Sequence, residues 1–318
     1  MENVLIKTVD LKKYFKTPKG LLHAVDGVNI TVESGKTLGV VGESGCGKST
    51  LGRLVLRLIE PTSGEVLLKD QNILKYNSRE MKKYRLHMQM IFQDPYASLN
   101  PRMSVTDIIA EPLIANNLCK NQKEKNEKVK ELMDIVGLAQ RYSNSYPHEL
   151  DGGRRQRIGV ARALAVDPDF IVCDEPVSAL DVSIQAQILN LLMDLQDQQK
   201  IAYLFITHDL SVVKHISQTI VIMYLGQCIE EVSNKELFHN PLHPYTQALL
   251  SAIPIPDLSS RKHPRYIIKG EVTSPIEPEP GCRFRTRCPH ATTSCIGRDI
   301  PLFEVEKNHK VACVLFER

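Results

Sequence analysis

A glycine-rich segment near the start of the chain has the residue types and the spacing of a phosphate-binding loop. Residues 42–49 read Gly-Glu-Ser-Gly-Cys-Gly-Lys-Ser, which fits the pattern G-x-x-x-x-G-K-S. The segment follows the apolar run 38–41 and precedes a helical pattern over residues 50–59. Glycines let successive backbone N–H groups turn toward a phosphate, and the helix N-terminus adds partial positive charge. The pattern therefore predicts a nucleotide-phosphate site rather than a chance glycine-rich turn.

Two side chains of this loop have predicted roles in binding a nucleotide and its metal. The Lys48 ammonium would reach the β- and γ-phosphates, and the Ser49 hydroxyl would be a ligand of Mg²⁺. The other predicted nucleotide-binding positions are Gly42, Glu43, Ser44, Gly45, Cys46, Gly47 and Thr50. The Cys46 thiol has no role of its own in this prediction, because the loop backbone makes the contacts.

Two adjacent carboxylates end a second apolar run. Residues 170–173 are Phe-Ile-Val-Cys, and Asp174 and Glu175 follow directly. Consecutive side chains of a strand point to opposite faces, so one carboxylate can approach a metal while the other faces an attacking water. We assign Asp174 to Mg²⁺ and Glu175 as the general base. The alternative, a helix start before Pro176, is disfavoured by the phosphate loop in the same chain.

The elements that must position these residues follow an α/β pattern. Fully apolar runs at 38–41, 170–173 and 203–206 predict buried strands of a parallel sheet, and apolar residues at helical spacing over 184–195 predict a helix. Segments with the alternation of an antiparallel sheet occur at 4–9, 22–32 and 64–69. A helical stretch over about 95–160 interrupts the α/β alternation and predicts an inserted helical subdomain.

Composition limits the classes of protein that the chain can be. Its 318 residues suggest about two domains. Six prolines between residues 254 and 280 disfavour regular structure, so we predict domains at 1–253 and 254–318. A net charge of +3 argues against nucleic acid as a partner. The sequence contains neither an apolar run of membrane-spanning length nor a signal-peptide pattern.

The motifs, taken in order, resemble those of the nucleotide-binding subunits of ABC transporters. Gln93 stands where that family has a glutamine that contacts Mg²⁺, and His208 where it has a histidine that contacts the γ-phosphate. Asp181 ends a Ser-Ala-Leu-Asp segment like the family's D-loop, and Phe15 or its neighbour Tyr14 stands where an aromatic ring stacks on adenine. The resemblance implies ATP and Mg²⁺ as cofactors. It also implies an ABC-type P-loop NTPase core with an antiparallel β subdomain and an inserted helical subdomain.

The segment expected to contact the ATP of a facing subunit departs from the family pattern. Leu-Ser-Gly-Gly-Gln is replaced by Leu-Asp-Gly-Gly-Arg, in which the predicted nucleotide-contacting residues are Asp151, Gly152, Gly153 and Arg154. Asp151 places an anion beside an anionic ligand, and Arg154, three residues on, could neutralise it. In another interpretation Asp151 only caps a helix. We predict that this signature serves a partner's ATP less well, which makes the two sites unequal.

The C-terminal part resembles the extension of oligopeptide and dipeptide import ATPases. Residues 240–250 (NPLHPYTQALL) and 281–290 (GCRFRTRCPH) carry this resemblance. Residues 93–102 (QDPYASLNPR) look more like the second ATPase of such systems than the first. Nickel importers share much of the pattern, so a nickel or other small-solute importer of the same family remains an alternative. A regulatory ATP-binding subunit with one hydrolysis-deficient site is a second alternative. A soluble ABC ATPase that acts on nucleic acid is a third, which the near-neutral charge disfavours.

The resemblance also implies partners and a location. Because the chain has one phosphate loop and one signature, a paralogous ATP-binding subunit is expected to complete a heterodimer. Two membrane permease subunits and an extracytoplasmic peptide-binding protein are the further expected partners. The chain would then lie peripherally at the cytoplasmic face of the cell membrane, with the helical insert after Gln93 contacting the permeases.

Half of the eight cysteines lie in a small irregular C-terminal extension. Cys282, Cys288, Cys295 and Cys313 have the spacing C-x₅-C-x₆-C-x₁₇-C, which lacks the C-x₂₋₄-C pairs of zinc fingers. Four thiolates suit a [4Fe–4S] cluster, and relatives of this tail hold one. We therefore predict a [4Fe–4S] cluster, with zinc and unligated thiols as the alternatives.

Overall fold

The computed structural model of the chain describes residues 4–253, 270 and 273–317. These residues fold as two compact units. Unit 1 comprises Val4, Leu5, Val32–Lys36 and Lys75–Ile206, and unit 2 comprises Ile6–Thr31, Thr37–Leu74 and the described residues from Thr207 onward. Among the described residues, no helix has both the length and the apolar character needed to cross a membrane. The proline-rich boundary expected over residues 254–280 lies mostly outside the described residues.

The strands and helices have the following bounds in chain order. The strands are β1 (Val4–Thr17), β2 (Gly20–Val28), β3 (Thr31–Glu33), β4 (Thr37–Val41), β5 (Ser63–Leu68), β6 (Gln71–Asn72), β7 (Met88–Ile91), β8 (Phe170–Asp174), β9 (Ala202–Thr207), β10 (Thr219–Tyr224), β11 (Gln227–Ser233), β12 (Phe303–Glu306) and β13 (His309–Val311). The helices are α1 (Lys48–Val55), α2 (Ser78–His87), α3 (Pro95–Ser98), α4 (Val105–Ala115), α5 (Gln122–Ile135), α6 (Gly152–Leu164), α7 (Val182–Gln199), α8 (Leu210–Ile216), α9 (Asn234–His239) and α10 (Pro244–Ser251).

Unit 1 is built on a parallel arrangement of β7, β8 and β9. β8 lies between the other two, with Phe170 opposite both Met88 and Ala202. Every residue of β8 and β9 is buried, as expected for parallel strands covered on both faces. The carboxyl end of β8 therefore brings Asp174 to the edge of this sheet. The apolar runs at 170–173 and 203–206 are confirmed as strands.

Helices α3, α4, α5 and α6 form the helical part of unit 1, between β7 and β8. Each of the last three begins at a side-chain cap: Ser104 for α4, Asn121 for α5 and Asp151 for α6 accept hydrogen bonds from backbone N–H groups of the first turn. Helix α4 packs against α5 and α6 through its buried side. These helices correspond to the stretch predicted over about 95–160.

Unit 2 contains two sheets. One is antiparallel, in the order β2-β1-β5-β6, and includes the alternating segments predicted around 4–9, 22–32 and 64–69. In the other, β10 pairs parallel to β4 and antiparallel to β11. The hairpin of β12 and β13 extends this second sheet, because β13 pairs with β11. The C-terminal extension thus contributes regular strands to the sheet that holds the phosphate loop.

A buried carboxylate ties this hairpin to the rest of unit 2. Glu230 on β11 is fully buried and accepts hydrogen bonds from the backbone N–H groups of Leu242 and His243, at 2.8 and 3.0 Å. His309 on β13 lies 2.7 Å from the same carboxylate through Nε2 and is also buried. Three segments of the chain therefore meet at one side chain.

Candidate nucleotide-binding site

The phosphate loop lies in unit 2, between the end of β4 and the start of α1. Gly47 has a left-handed backbone, with φ of 104°, and caps α1. A Cβ on Gly47 would lie 2.0 Å from the carbonyl oxygen of Ala24, and one on Gly42 would lie 2.2 Å from that of Met223. The close approach of neighbouring backbone therefore requires glycine at both positions. Helix α1 begins at Lys48, two residues before the predicted start, and the left-handed backbone of Arg57 prevents its continuation to residue 59.

The side chain of Lys48 is folded over the loop and is 4% exposed. Its Nζ donates to the carbonyl oxygens of Gly42 at 2.8 Å and Glu43 at 2.9 Å. Burial raises the pKa of the neighbouring Cys46 although the Lys48 charge opposes this effect, so the thiol is neutral. The carbonyl groups are neutral acceptors, and phosphate oxygens would form stronger, charge-assisted hydrogen bonds with the same ammonium.

The tip of the loop is open. Ser44 and Gly45 are exposed, and a Cβ on Gly45 would have no atom within 4 Å. Ser49 and Thr50 follow in the first turn of α1 and are half-buried. Open space, a helix N-terminus and a lysine at one loop fit a nucleotide phosphate. The Ser49 hydroxyl is a hard oxygen donor of the kind that Mg²⁺ prefers.

The carboxylate pair lies in unit 1, where β8 ends. Asp174 is 2% exposed, whereas Glu175 is half-buried and has a left-handed backbone with φ of 45°. The Nε2 of Gln93 lies 3.0 Å from Oε2 of Glu175, so two of the predicted residues are in direct contact. The uncommon backbone at Glu175 is maintained by its N–H, which donates to the carbonyl of Ile206 at 2.9 Å.

Two further predicted residues lie at helix starts in different units. His208, in unit 2, is exposed and follows β9. The next residue, Asp209, caps α8 and accepts a hydrogen bond from the N–H of Ser211 at 2.7 Å. Asp181, in unit 1, is the N-terminal cap position of α7 and is exposed.

The two aromatic candidates for stacking on adenine have different surroundings in unit 2. The ring of Tyr14 is stacked on His23 at 3.9 Å, and its hydroxyl donates to Asp26 at 2.5 Å. Burial and the Asp26 hydrogen bond raise the pKa of Tyr14, so the hydroxyl keeps its proton. Phe15 is 37% exposed. Phe15 is therefore the better placed of the two to meet a planar ligand from solvent.

The altered signature lies at the start of α6 in unit 1. Asp151 accepts a hydrogen bond from the N–H of Arg154 at 2.8 Å and also pairs with the Arg154 guanidinium. The guanidinium in turn lies 4.8 Å from the ring centroid of Tyr142. A Cβ on Gly152 or Gly153 would approach side chains of neighbouring residues to 3.1 or 2.7 Å. Asp151 is thus a helix cap, and its charge is paired with Arg154 in the first turn of the same helix.

Sequence reasoning missed two side chains that contact the phosphate loop. Arg287, from the C-terminal extension, makes two hydrogen bonds with Glu43, and the hydroxyl of Tyr245 accepts one from the Glu43 N–H at 2.9 Å. They are 244 and 202 residues from Glu43 along the chain. Motif spacing cannot detect contacts of that range, although the three arginines between residues 283 and 287 were a visible charge cluster.

Two family models match the chain. The one described as "ABC transporter" matches residues 25–178, which include the phosphate loop and the carboxylate pair. The one described as "Oligopeptide/dipeptide transporter, C-terminal region" matches residues 229–295.

Curated relatives match almost the whole chain. The oligopeptide transport ATP-binding protein AppF of Bacillus subtilis is 50% identical and covers 99% of this chain and 98% of its own. OppF of Escherichia coli, with the same description, is 50% identical over 96% of this chain and 91% of its own. The dipeptide transport ATP-binding protein DppF of Haemophilus influenzae is 49% identical over 97% of this chain and 96% of its own.

The predicted iron–sulfur cluster and its zinc alternative are wrong. The relatives that match over nearly the full length, tail included, are described only as transport ATP-binding proteins. Among the described residues, the group of possible metal ligands whose atoms approach within 4.8 Å is Glu236, Glu306 and His309, with no cysteine. The four cysteines do line one small cavity, together with His243, but closeness of thiols does not by itself establish a metal or a cluster.

Solved structures agree with the sequence comparisons. The ATP-binding cassette MJ0796, in a dimeric post-hydrolysis state with ADP and Pi, has a TM-score of 0.67 and 28% identity, covering 72% of this chain and 99% of its own. The predicted ABC-type P-loop fold is thereby confirmed. The chain belongs to the ABC transporter family, among its ATP-binding proteins, which are ATPases coupled to transport.

Proposed function

We propose that the chain hydrolyses ATP to drive the import of oligopeptides or dipeptides through separate membrane proteins. The observation that carries the proposal is the identity of about 50% to peptide-transport ATP-binding proteins over 96–99% of the chain, including its C-terminal extension. The geometry of the phosphate loop supports the ATP-binding part of this function.

In the proposed reaction the phosphate loop binds ATP and aligns its terminal phosphate. The Lys48 ammonium exchanges the carbonyl oxygens of Gly42 and Glu43 for phosphate oxygens. Glu175 accepts a proton from the attacking water, while His208 donates to the γ-phosphate. The hydrogen bond between Gln93 and Glu175 orients the base before the nucleotide arrives. Phe15 stacks on the adenine ring.

Mg²⁺ is the metal proposed for this site. The candidate ligands Ser49, Gln93 and Asp174 offer only oxygen atoms, the donor type that Mg²⁺ prefers. When bound, the ion would neutralise charge developing on the β- and γ-phosphates. Asp174 is almost fully buried, which suits a carboxylate that interacts with a cation rather than with water.

The chain is proposed to act with a paralogous ATP-binding subunit and two permeases, with an extracytoplasmic peptide-binding protein supplying substrate. It would lie at the cytoplasmic face of the membrane. In support, unit 1 has large apolar side chains that are 38–58% exposed in or near its helical part, at Phe92, Tyr96, Ile114, Leu118 and Tyr146. Exposed apolar side chains mark a protein interaction surface where they form a contiguous patch.

Replacement of the proposed base tests the function. In cells that carry Glu175→Gln as the sole copy of the chain, we expect uptake of a radiolabelled tripeptide to stop, because ATP is bound but not cleaved. The purified variant should still bind ATP, whereas Lys48→Ala should lose binding. The rate of ATP hydrolysis by the Glu175→Gln variant should fall at least about 100-fold, as is typical when a general base is removed.

A carboxylate away from the site provides the matched control. Asp197→Asn changes an exposed residue of α7 and should leave uptake unchanged. Uptake of nickel is measured in the same cells. Peptide uptake that survives Glu175→Gln while nickel uptake stops would contradict the peptide assignment, and survival of both would contradict the assigned base.

A further inference from the structure

The C-terminal extension reaches the phosphate loop through a buried ion pair. The Arg287 guanidinium donates from Nη1 to Oε2 of Glu43 at 2.8 Å and from Nη2 to Oε1 at 3.1 Å. The Arg287 side chain is 8% exposed, and its Nη1 also donates to the hydroxyl of Tyr224 at 3.2 Å. A two-pronged pair between arginine and a carboxylate fixes the direction of both groups as well as their distance.

Glu43 is a junction within the loop. Its carboxylate binds Arg287, its N–H donates to Tyr245, and its carbonyl oxygen accepts from Nζ of Lys48. A shift of Glu43 therefore moves the backbone group that positions the phosphate-binding lysine. Arg287 lies outside residues 42–49, and Glu43 is the residue of that loop with which its guanidinium forms hydrogen bonds.

A second arginine of the extension lies near Tyr14, one of the two residues predicted to stack on adenine. Arg283 is buried and donates to the carboxylate of Asp26 and to the carbonyl oxygen of Leu225. Asp26 also accepts from Tyr14 and lies 3.0 Å from Nδ1 of His23. Burial alone would raise the pKa of Asp26, but these hydrogen bonds and the Arg283 charge hold it below its usual value.

The extension also forms backbone contacts with the hairpin of β1 and β2. Ile276 forms an antiparallel bridge with Leu22, and the carboxylate of Glu277 accepts the N–H of Leu21 at 2.7 Å. Residues 276–287 thus contact the phosphate loop and β2, the strand that pairs with the β1 strand carrying both aromatic candidates. All of these contacts lie within unit 2.

We propose that residues 276–287 form a clamp that sets the affinity of the chain for ATP, with Arg287 and Arg283 as positioning residues. Arg287 acts through Glu43 on the phosphate loop, and Arg283 acts through Asp26 on Tyr14, the neighbour of Phe15 on β1. The inference rests on the proposed ATP site. It assigns to the extension an indirect contribution to nucleotide binding, made by positioning residues of the site.

Calorimetric titration of the purified full-length chain with Mg²⁺ and the ATP analogue AMP-PNP tests the clamp. We expect Arg287→Ala to raise Kd about tenfold, the size of effect found for single contacts that couple to a site. Arg287→Lys keeps the positive charge but cannot form the two parallel hydrogen bonds of the guanidinium, and it should give an intermediate Kd. The control is Arg298→Ala, which removes an exposed ion pair with Glu317 in the same extension and should leave Kd unchanged.

A double-mutant cycle separates positioning from a general loss of structure. In a Glu43→Ala background, Arg287→Ala should change Kd by less than about twofold, because the contact through the Glu43 side chain is already removed. A wild-type Kd in Arg287→Ala, or effects of the two changes that multiply, would overturn the clamp. If Arg287→Ala does not fold, the same cycle is made with Arg287→Lys. Lys48→Ala is included because unchanged binding there would instead overturn the ATP site itself.

Discussion

At the scale of single residues, Asp151 stands where the family signature has a serine, and the change keeps the helix cap while it adds a negative charge. Asparagine, aspartate and serine cap helices about equally well, so α6 begins where the family signature would place it. The difference lies in charge. Arg154 neutralises Asp151 at the surface, yet an approaching γ-phosphate would compete for the same guanidinium. A serine hydroxyl, in contrast, would donate to the phosphate.

The Asp151→Ser variant tests this difference. In the proposed heterodimer we expect ATPase activity to rise about fivefold, since removing a like charge about 4 Å from a phosphate in a solvated interface is worth ~1 kcal/mol. Because serine also caps helices, the melting temperature should not change. The assay is steady-state phosphate release at saturating ATP, with Glu149→Gln as a nearby charge control. An unchanged rate would show that the two sites are not made unequal by this residue.

The sequence predicted the site residues that belong to short local patterns and missed those that do not. The phosphate loop, the Asp174 and Glu175 pair and His208 each follow an apolar strand, so a few neighbouring residues identify them. Arg287 and Tyr245 reach Glu43 across more than 200 residues, and only the folded chain brings them together. The cysteine prediction failed for a related reason, because spacing along the chain does not establish that thiols bind a metal.

At the scale of elements, α10 begins with a cap that titrates. His243 is buried at the N-terminus of α10, and its Nδ1 accepts the N–H of Tyr245 at 3.1 Å. In the part of the chain that the structure describes, its Nε2 has no hydrogen-bond partner. Burial lowers the pKa of His243 to about 4, although the charge of Glu230 opposes this shift. Protonation therefore favours the unfolded chain, in which a histidine has its ordinary pKa.

The sign of the resulting pH dependence follows from the lowered pKa. Between the ordinary value of about 6.5 and the folded value of about 4, the unfolded chain binds more protons, so stability falls as the solution is acidified. From pH 7 to pH 4 this loss should reach about 3 kcal/mol. His243→Asn keeps a cap and removes the titration, so its urea midpoint should fall less over this range. His215→Asn, at an exposed position of α8, should behave like the wild type; equal acid sensitivity in all three proteins would contradict the assignment.

At the scale of the whole molecule, the C-terminal extension is integrated into unit 2 rather than appended to it. Its hairpin of β12 and β13 continues the sheet of the phosphate loop, and its arginines contact the loop and the β1–β2 hairpin. Alternation and composition could predict neither feature, because β12 and β13 are short and follow a proline-rich stretch. The extension therefore contributes to the stability of the nucleotide-binding unit as well as to its site.

The carboxylate of Glu230 is the point at which this integration can be measured. It is fully buried and receives three donors: two backbone N–H groups and, from the extension, His309. Glu230→Gln replaces one acceptor oxygen with a donor and removes the charge, so unsatisfied buried groups should lower the free energy of unfolding by about 3 kcal/mol. Its neighbour Glu231 offers the matched control, because it pairs with Lys310 at 3.2 Å in a half-exposed position, and Glu231→Gln should cost less than about 1 kcal/mol. The free energies are measured by urea unfolding of both variants. Equal unfolding midpoints for Glu230→Gln and Glu231→Gln would mean that the buried carboxylate does not hold the extension in place.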